Sequence, residues 1–211
     1  YSAVFTDKGL YMVREFETLW QQIYFLSYDG SDFRRLTDGP NWNLSIVRVD
    51  EKGERMPLTI AGSDIEKGTI TLVVQTVGLS STKLCQLGVG DCVMDVVGPL
   101  GQATHIQNYG TVVCAGGGVG VAPMLPIIQA LKAAGNRVIS VLAGRSKDLI
   151  ILENEVRASS DEVIIMTDDG SYGTKGLVTE GIESVIKREK VDKCFAIGPA
   201  IMMKFCCLLT K

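Results

Sequence analysis

The second half of the sequence alternates short apolar runs with stretches in which apolar residues recur at helical spacing. The apolar runs predict four strands, at residues 111–115, 138–143, 163–167 and 193–197. The intervening stretches predict helices, at residues 123–134, 149–157, 177–187 and 200–209. Strands that alternate with helices in this way predict a parallel sheet with helices on both of its faces.

The middle of the chain has a different pattern, because clusters of glycine, aspartate and serine separate its apolar runs. These runs predict antiparallel strands of the kind that form barrels, at residues 44–49, 69–76 and 91–97. Near the start of the chain, residues 11–13 and 23–26 predict the two strands of a hairpin. Residues 28–40 are similar to one blade repeat of a β-propeller, although a single repeat cannot bury its own faces.

The change of pattern divides the chain into three segments, in a β plus α/β fold. Residues 1–40 are unassigned and propeller-repeat-like, and residues 41–107 form an antiparallel, barrel-type β domain. We expect residues 108–211 to form a Rossmann-like parallel α/β domain that stops before its last strand.

Composition narrows the classes of partner. The 21 lysines and arginines against 24 aspartates and glutamates give a net charge of -3, with no basic block, which argues against a nucleic-acid partner. No apolar run reaches about 18 residues, so membrane insertion is not expected. The amino-terminal residues lack the order of a signal peptide, and we therefore expect a cytoplasmic protein.

The six cysteines are scattered and form no CxxC pair. We expect buried free thiols in place of disulfides. Cys206 and Cys207 are adjacent in an apolar run, which favours a structural role and no metal site.

The strongest chemical signal is a glycine-rich segment between a predicted strand and a predicted helix. It comprises Gly116, Gly117, Gly118, Val119, Gly120 and Val121, followed by Ala122 and Pro123. Glycines let the backbone turn tightly and approach a ligand, and the amides at a helix start favour a pyrophosphate. A plain strand-to-helix turn is the alternative. The surrounding strands and helix favour a dinucleotide site, in a variant without the usual acidic ribose ligand.

Two further groups follow the ends of predicted parallel strands, where ligands bind in such sheets. Gly198 and Pro199 precede the helix that starts with Ala200 and contains Met202. Asp168 and Asp169 follow the third strand. A simple helix start and a solvated turn are the respective alternatives.

The β segment offers weaker candidates. Arg55 could bind a phosphate and Thr59 could bind a ring by a hydrogen bond, although from the residues alone an exposed arginine beside a strand explains the pattern better. Residues 78–84 predict a turn whose amides and hydroxyls could bind a second phosphate, and residues 98–101 predict a turn that closes the last strand. We interpret His105 as a surface or core histidine and not as a catalytic base.

Five motifs together resemble the ferredoxin-NADP reductase superfamily, over about residues 47–211, whereas residues 1–40 do not match. They are RMPLTI at 55–60, GLSSTKL at 78–84, GPLG at 98–101, AGGGVGVAP at 115–123 and IGPAIMM at 197–203. Within the superfamily the chain is similar to the flavin subunits of sulfide dehydrogenase and of NADH-dependent ferredoxin:NADP oxidoreductase. It is also similar to the dihydroorotate dehydrogenase electron-transfer subunit.

The resemblance implies an FAD site in the β segment and an NAD or NADP site in the α/β segment. It places Arg55 at the FAD pyrophosphate and Thr59, with Pro57 and Leu58, near the flavin ring. Gly78, Ser81 and Thr82 would lie near the FAD phosphates, and Arg145 near the adenosine ribose or its phosphate. The glycine-rich segment would bind the nicotinamide dinucleotide, and residues 198–202 would lie beside the nicotinamide.

The implied activity is hydride exchange between NAD(P)H and FAD. Electrons would then pass to an iron-sulfur centre or ferredoxin within a larger oxidoreductase complex. No side chain need act as a catalytic residue, because the cofactors carry the chemistry. The superfamily likeness also implies a 2Fe-2S cluster, whose ligands are absent from this sequence. Alternatives are a non-catalytic nucleotide-binding or interaction domain and a propeller fragment. NADH and NADPH both remain open, with a preference for NADH.

Overall fold

A computed structural model describes residues 44–101 and 103–211, together with the backbone of four strands nearer the amino terminus. Those strands are β1 (Ala3–Phe5), β2 (Gly9–Arg14), β3 (Gln22–Ser27) and β4 (Phe33–Arg35), which pair in chain order as an antiparallel sheet. Because β2 pairs with β3, the predicted hairpin of residues 11–13 and 23–26 is confirmed. Its connection at residues 15–20, and all of the propeller-like segment except β4, lie outside the described residues.

A second sheet is formed by four strands in the order β7-β6-β5-β8. Their bounds are β5 (Leu44–Arg48), β6 (Met56–Asp64), β7 (Thr69–Leu72) and β8 (Asp95–Leu100). Strand β5 pairs antiparallel with both β6 and β8, so the predicted antiparallel β segment is confirmed.

Two predicted turns in this segment are wrong. Residues 78–84 mostly form helix α1 (Leu79–Cys85), and the hydroxyl of Ser81 shapes its start by accepting hydrogen bonds from the amides of Val77 and Gly78, both at 3.0 Å. Ser and Thr are favoured both at helix starts and in turns. The same residues therefore fit either structure, and the sequence could not distinguish the two. At residues 98–101 strand β8 continues to Leu100 through a cis Gly98-Pro99 peptide.

The carboxyl-terminal sheet is parallel and five-stranded, in the order β12-β11-β10-β9-β13. Its strands are β9 (Thr111–Gly117), β10 (Arg137–Gly144), β11 (Glu162–Thr167), β12 (Thr174–Lys175) and β13 (Lys193–Ile197). The helices are α2 (Val121–Ala133), α3 (Glu153–Ser159), α4 (Val178–Arg188) and α5 (Ala200–Leu209). The predicted strands and three of the predicted helices are confirmed.

The helix predicted at residues 149–157 is wrong in its first half. Residues Lys147–Leu149 form a short 3-10 helix, and Leu152 adopts a left-handed conformation with φ 55. A left-handed residue cannot continue a right-handed helix, and α3 therefore begins only at Glu153. Strand β12 was missed because two residues carry no periodicity.

The core of this part lies on both faces of the parallel sheet. Alternate residues of β9 point to opposite faces, so that Val112 and Cys114 belong to one buried cluster and Val113 and Ala115 to the other. Helix α2 covers the first face, and α4 with α5 covers the second. A strand buried on both faces must be apolar at every position, which explains why the sequence signal was strong here.

The described chain groups into two compact units. One comprises Tyr1–Ile60 with Thr76–Thr104, and the other comprises Ala61–Gln75 with His105–Lys211. The domain limits drawn from the sequence, at residues 1–40, 41–107 and 108–211, stay a prediction.

Across the described residues, no helix combines the length and the apolar character that crossing a membrane requires.

Candidate functional site

The glycine turn, defined as residues 116–120, follows β9 directly and leads into α2. A Cβ atom on Gly120 would lie 2.5 Å from the carbonyl oxygen of Ile197 and 2.9 Å from Cα of Gly198. A Cβ atom on Gly116 would lie 2.9 Å from Cγ2 of Val121. Only glycine fits such contacts, because real Cβ atoms essentially never come that close. The turn therefore depends on glycine for its packing as well as for its path.

Gly118 differs from its neighbours in the glycine turn. Its φ of 56 is left-handed, and a Cβ atom there would meet nothing within 4 Å. Val119 beside it is 45% exposed. One side of the turn is thus packed against protein, while the middle of the turn is open to a ligand.

The structure brings the second predicted group, residues 198–202, against the glycine turn. Strand β13 pairs with β9, with Ile197 opposite Gly116. Met202 packs against both Gly117 and Gly198, where its Cε would be 2.6 Å from a Cβ atom on Gly198. These two predicted groups therefore form one site at the carboxyl edge, by which we mean the edge of the parallel sheet at which β9, β10, β11 and β13 end.

Two helices begin at the carboxyl edge. Helix α2 follows Gly120, and α5 starts at Ala200 after Pro199. Neither Gly120 nor Pro199 has a side chain that can cap the first amides of the helix that follows it. Uncapped helix starts carry partial positive charge and donate hydrogen bonds to anions. The arrangement suits a ligand with phosphate groups.

Arg145, Asp168 and Asp169 lie at the same edge of the sheet. The amide of Asp168 donates to the carbonyl of Gly144 at 3.1 Å, and that of Asp169 donates to the carbonyl of Arg145 at 3.2 Å. These bonds continue the pairing of β10 and β11 beyond the strands. Arg145 is exposed and forms no ion pair with a described residue.

A network around Ser171 fixes the loops beyond β10 and β11. The Ser171 hydroxyl accepts from the amide of Lys147 at 2.8 Å, and its amide donates to Asp169 Oδ1 at 2.9 Å. Hydrogen bonds from the Ser171 side chain and amide lower the pKa of Asp169. The Asp169 carboxylate is thereby held in a loop whose backbone also bonds to Arg145.

Tyr172 is a site neighbour that the sequence reasoning missed. Its amide donates to Thr167 Oγ1 at 3.2 Å, and its hydroxyl donates to Glu153 at 3.0 Å. The Lys147 ammonium group lies 5.4 Å from the centre of its ring. The sequence did show one aromatic residue within the polar run 167–173, which could have indicated a role for Tyr172. Most of its partners are distant in sequence, so the contacts themselves could not be predicted.

In the other unit, Arg55 immediately precedes β6, which contains Pro57, Leu58 and Thr59. Arg55 is exposed, and within the described chain no carboxylate pairs with it. Thr59 is half-buried and lies opposite Leu44 in the sheet. The Ser45 hydroxyl donates to the carbonyl of Leu58 at 3.1 Å, which holds this part of β6 in place.

Ser81 and Thr82 lie in the first turn of α1, after Gly78. The Ser81 hydroxyl accepts two amide hydrogen bonds and donates to the carbonyl of Gly78 at 3.0 Å, so its hydrogen-bonding capacity is used within α1 and its approach. An ion pair of 2.6 Å between Lys83 and Asp50 anchors the same helix. Ser81 thus shapes the backbone here, and its predicted place near a phosphate stays a prediction.

The cysteines and His105 take no part in the site. Cys92, Cys114, Cys194, Cys206 and Cys207 are free thiols, as expected, but Cys85, Cys92 and Cys207 are exposed, so the expectation of burial is wrong for these three. Burial raises the pKa of Cys194 to about 12. His105 is exposed and lies 3.2 Å from the Tyr109 hydroxyl. No three His, Cys, Asp or Glu side chains of the described residues could hold a metal ion together.

Comparison with known proteins agrees with this geometry. No protein-family profile matches the chain. It is 36% identical in sequence to a structure of NADH-dependent reduced ferredoxin-NADP oxidoreductase, solved for insight into flavin-based electron bifurcation. That superposition has a TM-score of 0.77 and covers 98% of this chain and 73% of the other.

The chain is also similar in sequence to curated electron transfer subunits. A homologue of the dihydroorotate dehydrogenase B (NAD(+)) electron transfer subunit from Thermotoga maritima is 48% identical over 163 residues, which cover 77% of this chain and 57% of that protein. The electron transfer subunit from Desulforamulus reducens is 32% identical over 183 residues, covering 86% of this chain and 70% of that protein. The chain thus spans less than three fifths of the Thermotoga maritima relative.

The antiparallel β unit and the parallel α/β unit with its glycine turn define a protein of the ferredoxin-NADP reductase fold class. Within that class, the chain belongs to the family of dihydroorotate dehydrogenase B electron transfer subunits.

Proposed function

We propose that this chain transfers electrons from a nicotinamide dinucleotide through FAD, as part of a larger oxidoreductase complex. The observation that carries the proposal is the packing of Gly120 against Ile197 and Gly198, which builds an open glycine turn at the carboxyl edge. The dinucleotide pyrophosphate would bind at this turn, since two uncapped helix starts meet there.

The residues present fit both groups. A Cβ atom would clash with neighbouring protein atoms at three of the four glycines of the turn, so the backbone of the turn is bare of side chains there, as a phosphate site on the backbone requires. In the other unit, Arg55 is an exposed cation, and no carboxylate of the described residues forms an ion pair with it. We assign Arg55 to the FAD pyrophosphate. Thr59 and Leu58, held in β6, would contact the flavin ring.

When bound, FAD would accept a hydride from the nicotinamide and release the electrons singly. The chain itself would bind and orient the two cofactors. It would need no general acid or base, since hydride transfer moves no proton through a side chain. An iron-sulfur centre or a ferredoxin in a partner subunit would take the electrons. We place no cluster on the described residues, because they bring no three suitable ligands together.

The visible absorption spectrum of the purified protein tests this function. We expect a flavin spectrum, either as isolated or after incubation with FAD, that bleaches when NADH is added without oxygen. Arg55→Ala should weaken FAD binding by about tenfold, because a charge-assisted contact to phosphate is lost. Titration of the apoprotein with FAD, followed by flavin fluorescence, measures the change.

Lys52→Ala is the matched control for Arg55→Ala, because Lys52 is an exposed cation in the segment before β6. It should leave FAD affinity unchanged. Equal losses in both variants would indicate a nonspecific charge effect and contradict the assignment of Arg55. A protein that binds NAD+ in calorimetry but takes up no FAD would instead be a nucleotide-binding domain without a flavin site.

We further propose that the dinucleotide is NADH. The backbone of Asp169 bonds to that of Arg145, and Asp148 follows Arg145 closely in the sequence, while Lys147 lies 5.4 Å from the centre of the Tyr172 ring. An aspartate is ionised at neutral pH, so the Asp169 carboxylate would repel a 2'-phosphate.

Arg145→Ala should therefore reduce NADH affinity by no more than about threefold, the loss expected for one exposed polar contact. NADPH should bind more weakly than NADH in both the wild type and the variant. The preference is measured by the rates at which NADH and NADPH reduce the protein without oxygen. Lys147→Ala is the control variant, because it removes another cation from the same loop. A loss confined to NADPH in Arg145→Ala would show that Arg145 recognises a phosphate, and would refute the choice of NADH.

A further inference from the structure

Met202 occupies an unusual position for an oxidisable side chain. It is the third residue of α5, it is only partly buried, and its thioether packs between the glycine turn and the end of β13. Its Sδ would be 2.9 Å from a Cβ atom on Gly198, and the same sulfur meets the position that a Cβ atom on Gly117 would take. The sulfur atom therefore packs where the backbones of Gly117 and Gly198 meet, at the turn where the dinucleotide is proposed to bind.

Other methionines of the described residues lack this combination. Met124 and Met166 are buried at 0% and 3% exposure, so an oxidant cannot readily reach them. Met56 is partly buried and Met94 is 45% exposed, but both lie in the other compact unit. Met203 follows Met202 and is also partly buried. Met202 is thus a partly exposed residue in direct contact with the glycine turn.

We propose that Met202 is a peroxide-sensitive switch of dinucleotide binding, which rests on the proposed function of the glycine turn. The sulfur donates an electron pair to one oxygen of hydrogen peroxide, and the oxygen-oxygen bond breaks. That oxygen stays on the sulfur as a sulfoxide, and the other leaves as water with both protons. The thioether is oxidised by two electrons and the peroxide is reduced by two.

The new oxygen atom has no room on the protein side of Met202. The sulfur already packs against Gly117 and Gly198, both of which lack a side chain that could move away. Oxidation also turns an apolar thioether into a polar, chiral group, which disfavours its buried contacts. Either the glycine turn shifts from β13 or the side chain moves outward into the ligand crevice. Both changes weaken dinucleotide binding.

The test compares NAD+ binding before and after treatment with hydrogen peroxide, in wild-type protein and in Met202→Leu. Leucine keeps an apolar side chain of similar size without an oxidisable sulfur. We expect peroxide to lower the affinity of the wild type by about tenfold or more, corresponding to roughly 1.4 kcal/mol, and to leave Met202→Leu nearly unchanged. Tandem mass spectrometry should place one added oxygen atom on Met202, and methionine sulfoxide reductase should restore binding.

Three comparisons make the result decisive. Met202→Gln, which puts a polar group of similar length there, should weaken NAD+ binding without peroxide while circular dichroism stays unchanged. Met94→Leu should leave the peroxide response intact, and NAD+ present during treatment should slow oxidation of Met202. An equal loss in peroxide-treated Met202→Leu, or failure of Met202 to oxidise while Met94 does, would overturn the switch alone. Failure of untreated wild type to bind NAD+ would overturn the proposed function and the switch with it.

Discussion

Gly120→Ala should lower the affinity for the nicotinamide dinucleotide by about a hundredfold. The added methyl group would lie 2.5 Å from the carbonyl oxygen of Ile197, and since that oxygen belongs to the backbone of β13, it cannot rotate away as a side chain would. Overpacking of this kind costs about 1–3 kcal/mol, and here it separates the glycine turn from Gly198. Calorimetric titration with NAD+ measures the loss.

Gly135→Ala is the matched control, because it adds the same methyl group to a glycine of the same unit that lies after α2, away from the glycine turn. Its nearest neighbour would be Nδ2 of Asn108 at 3.4 Å, although the φ of 83 makes the residue strained. A strain of about 1 kcal/mol should lower the melting temperature slightly and reduce NAD+ affinity much less than Gly120→Ala does. If the two variants lost affinity equally, close packing of the turn against β13 would not be the determinant of binding.

Asn136→Ala should destabilise the α/β unit by about 3 kcal/mol, because several buried backbone groups would lose their partners. Asn136 is 3% exposed and follows α2. Its Oδ1 accepts from the amides of Tyr109 and Gly110 at 2.7 and 3.2 Å. Its Nδ2 donates to the carbonyls of Gln107 and Leu131 at 2.9 and 2.8 Å. The side chain thereby fixes the approach to β9, which ends in the glycine turn.

Hydrogen exchange of the amides in β9 and β10 measures the effect within this unit. Asn108→Ala is the control, because Asn108 lies in the same segment but is exposed, and its Oδ1 accepts one amide hydrogen bond, from Gly110 at 3.0 Å. Its loss should cost about 1 kcal/mol or less. Equal acceleration of exchange in both variants would show that the buried hydrogen bonds of Asn136 stabilise the α/β unit no more than the exposed one of Asn108 does.

The predicted strands and helices were most accurate where a continuous local pattern of apolar residues marks the whole element. Helix α5 was predicted at its observed bounds of residues 200–209, and the four longer strands of the parallel sheet were all found. The wrong predictions concern segments in which a single residue decides the backbone conformation. Leu152 stops the helix predicted at residues 149–157, and the hydroxyl of Ser81 turns a predicted loop into the start of α1. Leucine is an ordinary helix former, so the sequence offers no warning of its left-handed conformation.

The residues of the candidate site were likewise predicted from the sequence only in part. The glycine turn and residues 198–202 were recognised separately, because a strand, a glycine-rich segment and a helix start follow one another locally in the sequence. Asn136 and Tyr172 were missed, since each acts through partners well away along the chain. Ser81 was recognised, but its hydroxyl is satisfied within the start of α1.

The sequence by itself determined the alternation of strands and helices, the position of the glycine turn and the likeness to the ferredoxin-NADP reductases. It could do so because periodic burial and tight turns are encoded by neighbouring residues. The tertiary structure alone decided why Gly120 must be glycine and what Met202 touches. Those facts depend on β13 lying beside β9, which places Ile197, Gly198 and Met202 against a turn that is remote in sequence. Contacts of this kind arise only when the sheet has formed.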